Sequence, residues 1–131
     1  MPPDYRLEVS QEPGYLHAVV TGSNTRENVE AYLRDLLRAC VEMQCRHLLI
    51  EERLDGPRLG TADAYQAVLS AAKAAAQHLR SAAYVDVNMH DESNMRLAER
   101  VAVTRGVPVK MFPSVAAAKA WIAEQAKGDS R

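Results

Sequence analysis

Aromatic side chains are scarce in this 131-residue chain: one Phe, one Trp and five Tyr. A core must therefore be assembled mainly from Ala, Val and Leu. A stacking platform for nucleic-acid bases, which uses several aromatics on one face, is not expected. Net charge is equally lacking: 16 basic residues face 17 acidic ones, a formal balance of −1. No overall field then draws the molecule to phosphate backbones or anionic lipid, and nucleic acid is not an expected partner. No apolar run approaches the roughly 20 residues that span a bilayer, so stable membrane insertion is not expected either. The opening MPPDYRLEV has no apolar stretch leading to a small-residue cleavage site, and a cytoplasmic location follows as the expectation.

Cysteine is limited to Cys40 and Cys45. Five residues apart on one helix, two thiols point in different directions unless the helix ends there, so free thiols in a reducing compartment are expected. Neither a CxxC nor a Cys/His zinc spacing occurs. The glycines at Gly56 and Gly60 do not build a phosphate loop, because the Lys-Ser/Thr ending is missing. They are turn formers.

What is present is patterning. Tyr5 to Ser10 alternates apolar and polar, Gln11 to Gly14 supplies a turn, and Tyr15 to Thr21, YLHAVVT, reads as a second strand, which predicts an antiparallel hairpin. After the break at Gly22–Asn24, Thr25 is placed to cap a helix from Arg26 to about Met43–Cys45. Val29, Leu33, Leu36, Leu37, Cys40 and Val41 face inward there, and Arg26, Glu30, Arg34, Asp35 and Arg38 face outward. His47 to Ile50 is a continuous apolar strand that ends in Glu51, Glu52 and Arg53. A loop with Asp55, Gly56, Pro57 and Gly60 follows. Thr61 is then the expected cap of a helix over 62–80, with Asp63 in its first turn and Tyr65, Val68, Leu69, Ala72, Ala76 and Leu79 along one stripe.

Ala82 to Val87 predicts another strand, ending in Asn88, Met89 and His90. Asp91 or Ser93 would cap a third helix with Leu97, Ala98, Val101 and Ala102 inward, stopped by Arg105 and a left-handed Gly106. Pro108 to Phe112 is the last strand, and a helix from Pro113–Ser114 carries Val115, Ala118, Trp121 and Ile122. The order is ββαβαβαβα: an α/β fold with a mixed, mostly parallel five-stranded sheet, four helices, and the first strand antiparallel at or near an edge. An apolar share of 47% with 25% charged residues is an ordinary globular balance, so one domain over 1–131 is expected, with about 1–4 and 127–131 frayed.

Ligands of such sheets collect beyond the carboxyl ends of parallel strands. That rule gathers Thr21–Asn24, Glu51–Asp55, Asn88–Asp91 and Phe112–Ser114. Glu51 or Glu52 with His90 could form an acid/base pair, although alternation sends the two glutamates to opposite faces and solvated strand-end charges are the plainer reading. His90, Asp91 and Glu92 are adjacent and do not converge as metal ligands, and the other histidines are scattered, so no metal and no cofactor is expected. Phe112 and Trp121 are placed to fill the core or its rim.

With this order in place, TRGVPVKMFPSVAAAKAWI (Thr104–Ile122), and more loosely LDGPRLGTADAYQ (Leu54–Gln66), resemble the STAS domains of bacterial anti-sigma-factor antagonists in their small SpoIIAA-like branch, which includes STAS/SEC14-type proteins. The resemblance implies a non-enzymatic regulatory or protein-binding module acting through the loop from Asp55 to Asp63. In the phosphoregulated members an Asp-Ser-x-Gly sequence starts the corresponding helix. Here Gly60, Thr61, Ala62 and Asp63 stand there, so Thr61 would replace the serine while the flanking acid and glycine are absent and Asp63 would repel a phosphate. The alternative is a small-ligand binder, for a lipid or metabolite, with a pocket at the strand ends using Glu51, Glu52, Asn88 and His90. A protein partner is expected, and the exposed hairpin edge makes a homodimer plausible.

Overall fold

The computed structural model describes residues 4–57, 59–88 and 92–129. Its elements are β1 (Tyr5–Glu12), β2 (Tyr15–Ser23), α1 (Arg26–Glu42), β3 (His47–Asp55), α2 (Thr61–His78), β4 (Ser81–Asp86), α3 (Glu92–Thr104), β5 (Val109–Met111) and α4 (Val115–Asp129). The strands lie in chain order, β1 antiparallel to β2 and the remaining pairs parallel. The α/β class, the element order and the antiparallel first pair are those the patterning predicts.

Strands laid down in one direction with crossovers of one hand place every connecting helix on the same face. Accordingly α1, α2 and α3 share a core with Leu16, Ala18 and Val20 of β2 and Leu48, Ile50 and Leu54 of β3. Among the described residues only α4, which follows the last strand, covers the other face, where Ala118 and Ile122 meet Tyr15, Leu49, Ala83 and Val85. Phe112 and Trp121 pack together in that layer, ring centroids 5.5 Å apart. Period-two alternation thus divides each central strand between two unlike environments.

Thr25 caps α1 as expected, its hydroxyl accepting the Asn28 N–H at 3.1 Å. The helix closes with Gln44 at φ 54 and the Cys45 N–H donating to the Cys40 carbonyl at 2.9 Å, a Schellman stop. Gly106 takes the left-handed conformation at the end of α3 (φ +86). Gly14 does so in the hairpin turn, where an added Cβ would stand 2.8 Å from Cβ of Ala126 in α4.

Several details correct the sequence reading, and two of the side chains expected inward, Val41 of α1 and Leu97 of α3, are exposed at 56% and 40%. β3 does not stop at Ile50 but runs to Asp55, because β2 and β4 continue alongside and their ladders hold Glu51, Glu52 and Arg53 in extended form. The two glutamates are therefore not solvated strand-end charges: Glu51 is 6% exposed and Glu52 3%. At α2 the cap is Gly60, whose carbonyl accepts the Ala64 N–H at 2.9 Å, while Thr61 is already helical. Of the expected α2 stripe, Ala72 is buried, Leu79 is buried just past the helix end and Val68 packs against the core, but Tyr65 is turned out to 37% exposure; the buried residues within the helix are the alanines Ala67, Ala72 and Ala75. Asp91, one of the two α3 cap candidates, lies outside the described residues, as does His90.

Candidate functional site

A large residue on the inner face of a helix fills the space above a sheet, and an alanine leaves it open. α2 offers Ala64, Ala67, Ala71, Ala72 and Ala75 to the interior, opposite Ala82 of β4, and between them lies a cavity of about 440 Å³. Its other walls are Leu33, Leu36 and Leu37 of α1, Leu48 and Ile50 of β3, and Leu97, Val101 and Ala102 of α3. The lining is apolar almost throughout. Exposed Thr61, Tyr65 and Leu97 border it at the start of α2 and the near side of α3, so it reaches the surface there. The Arg105 guanidinium donates to the Tyr65 hydroxyl across this rim at 2.9 Å.

The polar end is built by three elements. Glu52 on β3 and Asp86 on β4 are register partners, and both carboxylates face the cavity side. From α1, the fully buried Tyr32 donates its hydroxyl to Oε2 of Glu52, and Tyr84 of β4 hydrogen-bonds with Glu52 and Tyr32. Burial first, then the charge of Glu52, pushes both phenols well above their ordinary range. They therefore stay neutral across physiological pH and act as hydrogen-bonding groups beside a carboxylate. Asp86 also accepts the Asn88 N–H at 3.0 Å, and the Asn88 amide donates to the Leu54 carbonyl at 2.8 Å. The turn after β4 is thereby tied to β3.

Glu51, one residue earlier, belongs to the α4 face. Its Oε1 lies 2.9 Å from Nε2 of His17, and the Arg53 guanidinium donates to Oε2. Burial works against its charge, but the Arg53 and His17 hydrogen bonds and their charges outweigh it, and the carboxyl lies below its ordinary range.

The sequence-based candidates thus separate. Glu52 and Thr61 border the cavity, at its polar end and its mouth. Glu51 lies behind the sheet. Asp55 is exposed at the end of β3, its carbonyl accepting the Asn24 N–H at 2.7 Å. Asp63 is exposed and pairs with Arg26 at 3.4 Å. Asn88 braces a turn, and the pairing of a glutamate with His90 falls outside the described residues. Sequence reasoning passed over Tyr32 and Tyr84. Tyr32 follows Val29 by three and precedes Leu36 by four, so its place on the buried stripe of α1 was available as a signal. Among the described residues no group of three or more His, Cys, Asp or Glu could hold a metal ion, and no helix is long and apolar enough to cross a membrane. Compared with known proteins, the chain matches no family model and no curated protein.

Proposed function

We propose that the protein binds a small, mostly apolar molecule in the cavity beneath α1, α2 and α3, with the ligand's polar end against Glu52, Tyr32 and Tyr84. The observation that supports this is the cavity itself. At about 440 Å³ it falls in the range of small-molecule sites, and it joins apolar walls to a few convergent polar groups, the usual division of labour between affinity and orientation. Hydrocarbon leaves water for the walls, and the buried polar cluster rejects occupants that leave its groups unmatched. The test is native mass spectrometry of the purified protein, joined to a thermal-shift screen of medium-chain alcohols, amines and carboxylic acids. A ligand raises the melting temperature by mass action. Ala72→Leu, which fills the cavity, abolishes that rise while leaving the unliganded protein folded. No adduct and no shift with any class, or a shift that survives both Ala72→Leu and Glu52→Gln, overturns the proposal.

A second reading keeps the STAS-like regulatory module. Thr61, which the resemblance sets against that family's serine, is exposed in the first turn of α2, where a modifying enzyme could reach its hydroxyl. Phosphate on Thr61 in protein isolated from its native cells supports this reading, and a Thr61 peptide found only unmodified under varied growth conditions removes it.

A further inference from the structure

Strand β1 is the sheet's long free edge. Its outer backbone groups are identified by the inner ladder. The Ser23 N–H donates to the Asp4 carbonyl at 3.1 Å, and the register pairs Tyr5 with Gly22 and Glu12 with Tyr15. Hydrogen-bonded and non-hydrogen-bonded pairs alternate along an antiparallel ladder. Arg6, Glu8, Ser10 and Glu12 therefore turn their backbone groups toward β2, and Tyr5, Leu7, Val9 and Gln11 turn theirs outward. Exposed edges of this kind are usually protected by a proline, a bulge, an inward charge or like-charged side chains; β1 runs Tyr5–Glu12 unbroken, with no proline, and its charges are of both signs, Arg6 lying 3.6 Å from Glu8 within the strand, so that a second antiparallel copy can match them. Its outer-facing series also includes Val9, one of the large apolar side chains left exposed, at 38%.

We infer that β1 pairs antiparallel with β1 of a second copy of this chain, about a two-fold axis at Val9, to make one continuous ten-stranded sheet. Centred there, each Val9 exchanges its outward N–H and C=O with the partner's Val9, and Leu7 does so with the partner's Gln11. The side chains then fall into register: Arg6 lies opposite the partner's Glu12 twice over, Glu8 opposite the partner's Ser10, and the two valines cover one another. Charge excludes the neighbouring two-fold registers. An axis at Glu8 sets the two Glu8 carboxylates face to face, an axis at Ser10 sets Glu8 against the partner's Glu12, and an axis at Arg6 opposes two guanidinium groups. An axis at Leu7 also satisfies charge, by placing Arg6 against the partner's Glu8. It leaves the Ser10–Glu12 end of each strand overhanging and the valines apart, whereas the Val9 axis lies beside the midpoint of the strand.

The test is sedimentation equilibrium of the full chain across micromolar concentrations. The wild type is expected at twice the monomer mass. Val9→Lys places two ammonium groups on the axis, and Val9→Pro removes an N–H that only the partner uses; both are expected to give folded monomers with an unchanged circular dichroism spectrum. Arg6→Glu weakens association about tenfold through its two symmetric pairs, and adding Glu12→Arg restores it. A monomeric wild type, or a dimer indifferent to both Val9 variants, overturns the pairing. Restoration of Arg6→Glu by Glu8→Arg and not by Glu12→Arg overturns the Val9 axis.

Discussion

Glu51 and Glu52 are neighbours in sequence, equal in chemistry and almost equally buried, yet they live in different proteins in all but name. Glu52 looks into a roomy, apolar chamber and is met by two neutral phenols. Glu51 points to the face that α4 covers and is met by His17 and by the half-exposed Arg53. The difference comes from the helices. α4 brings Ala118 and Ile122 into full contact with the sheet, and α2 brings a row of alanines that stops short of it. Packing on one face serves stability, and the gap on the other is available for a ligand.

The sharpest way to break this comparison is to remove volume from the tight face. Leu49→Ala, under α4 and fully buried, leaves a cavity that neighbours cannot fill and is expected to cost about 2–5 kcal/mol, read by urea denaturation. The next effect comes from adding volume there. Ala118→Leu has no room beside Leu49 and Ala83 and is expected to cost about 1–3 kcal/mol; a variant as stable as wild type shows that the α4 layer is looser than described.

Removing charge from the tight face follows. Glu51→Gln weakens the hydrogen bonds to His17 and Arg53 and is expected to lower stability at neutral pH by about 1–3 kcal/mol. The pH sign is fixed by the direction of the shift. A carboxyl held below its unfolded value contributes stability above that value and loses it as pH falls through the folded one. The gap between wild type and Glu51→Gln should therefore close on acidification below the ordinary glutamate range, and a gap constant from neutral to acid contradicts the assignment. The smallest effect belongs to the open face: Ala72→Leu is expected to change unliganded stability by less than about 1 kcal/mol in either direction, in contrast to Ala118→Leu.

Much of the architecture was legible because it depends on period. Tyr5–Ser10 alternates, a turn with Pro13 and Gly14 separates it from the largely apolar run of Tyr15–Thr21, α1 repeats at three and four, and these patterns suffice for the hairpin, the element order and the opposite orientation of Glu51 and Glu52. The end of β3 was not legible. Three charged residues in a row resemble the mouth of a loop, and only the neighbouring strands, distant in sequence, make burying the two glutamates among them tolerable. Nor was the cap at Gly60, since Thr61 is the better capping residue by type and the loop's path decided against it. The cavity was hidden most completely. Alanines announce a helix, but the space they leave depends on how far the opposing sheet stands away, which no local pattern encodes.

The contact between the hairpin turn and α4 has a consequence for how the chain becomes a protein. Gly14 lies against Ala126 so closely that any side chain there would collide with it, so an early turn is completed by a late helix. During synthesis the face carrying Tyr15, Leu49, Ala83 and Val85 has no cover until residues 115–129 have emerged. The earlier elements can collapse around their own core while that second face waits, open to chaperones and to stray association, for the last helix to close over the beginning of the chain.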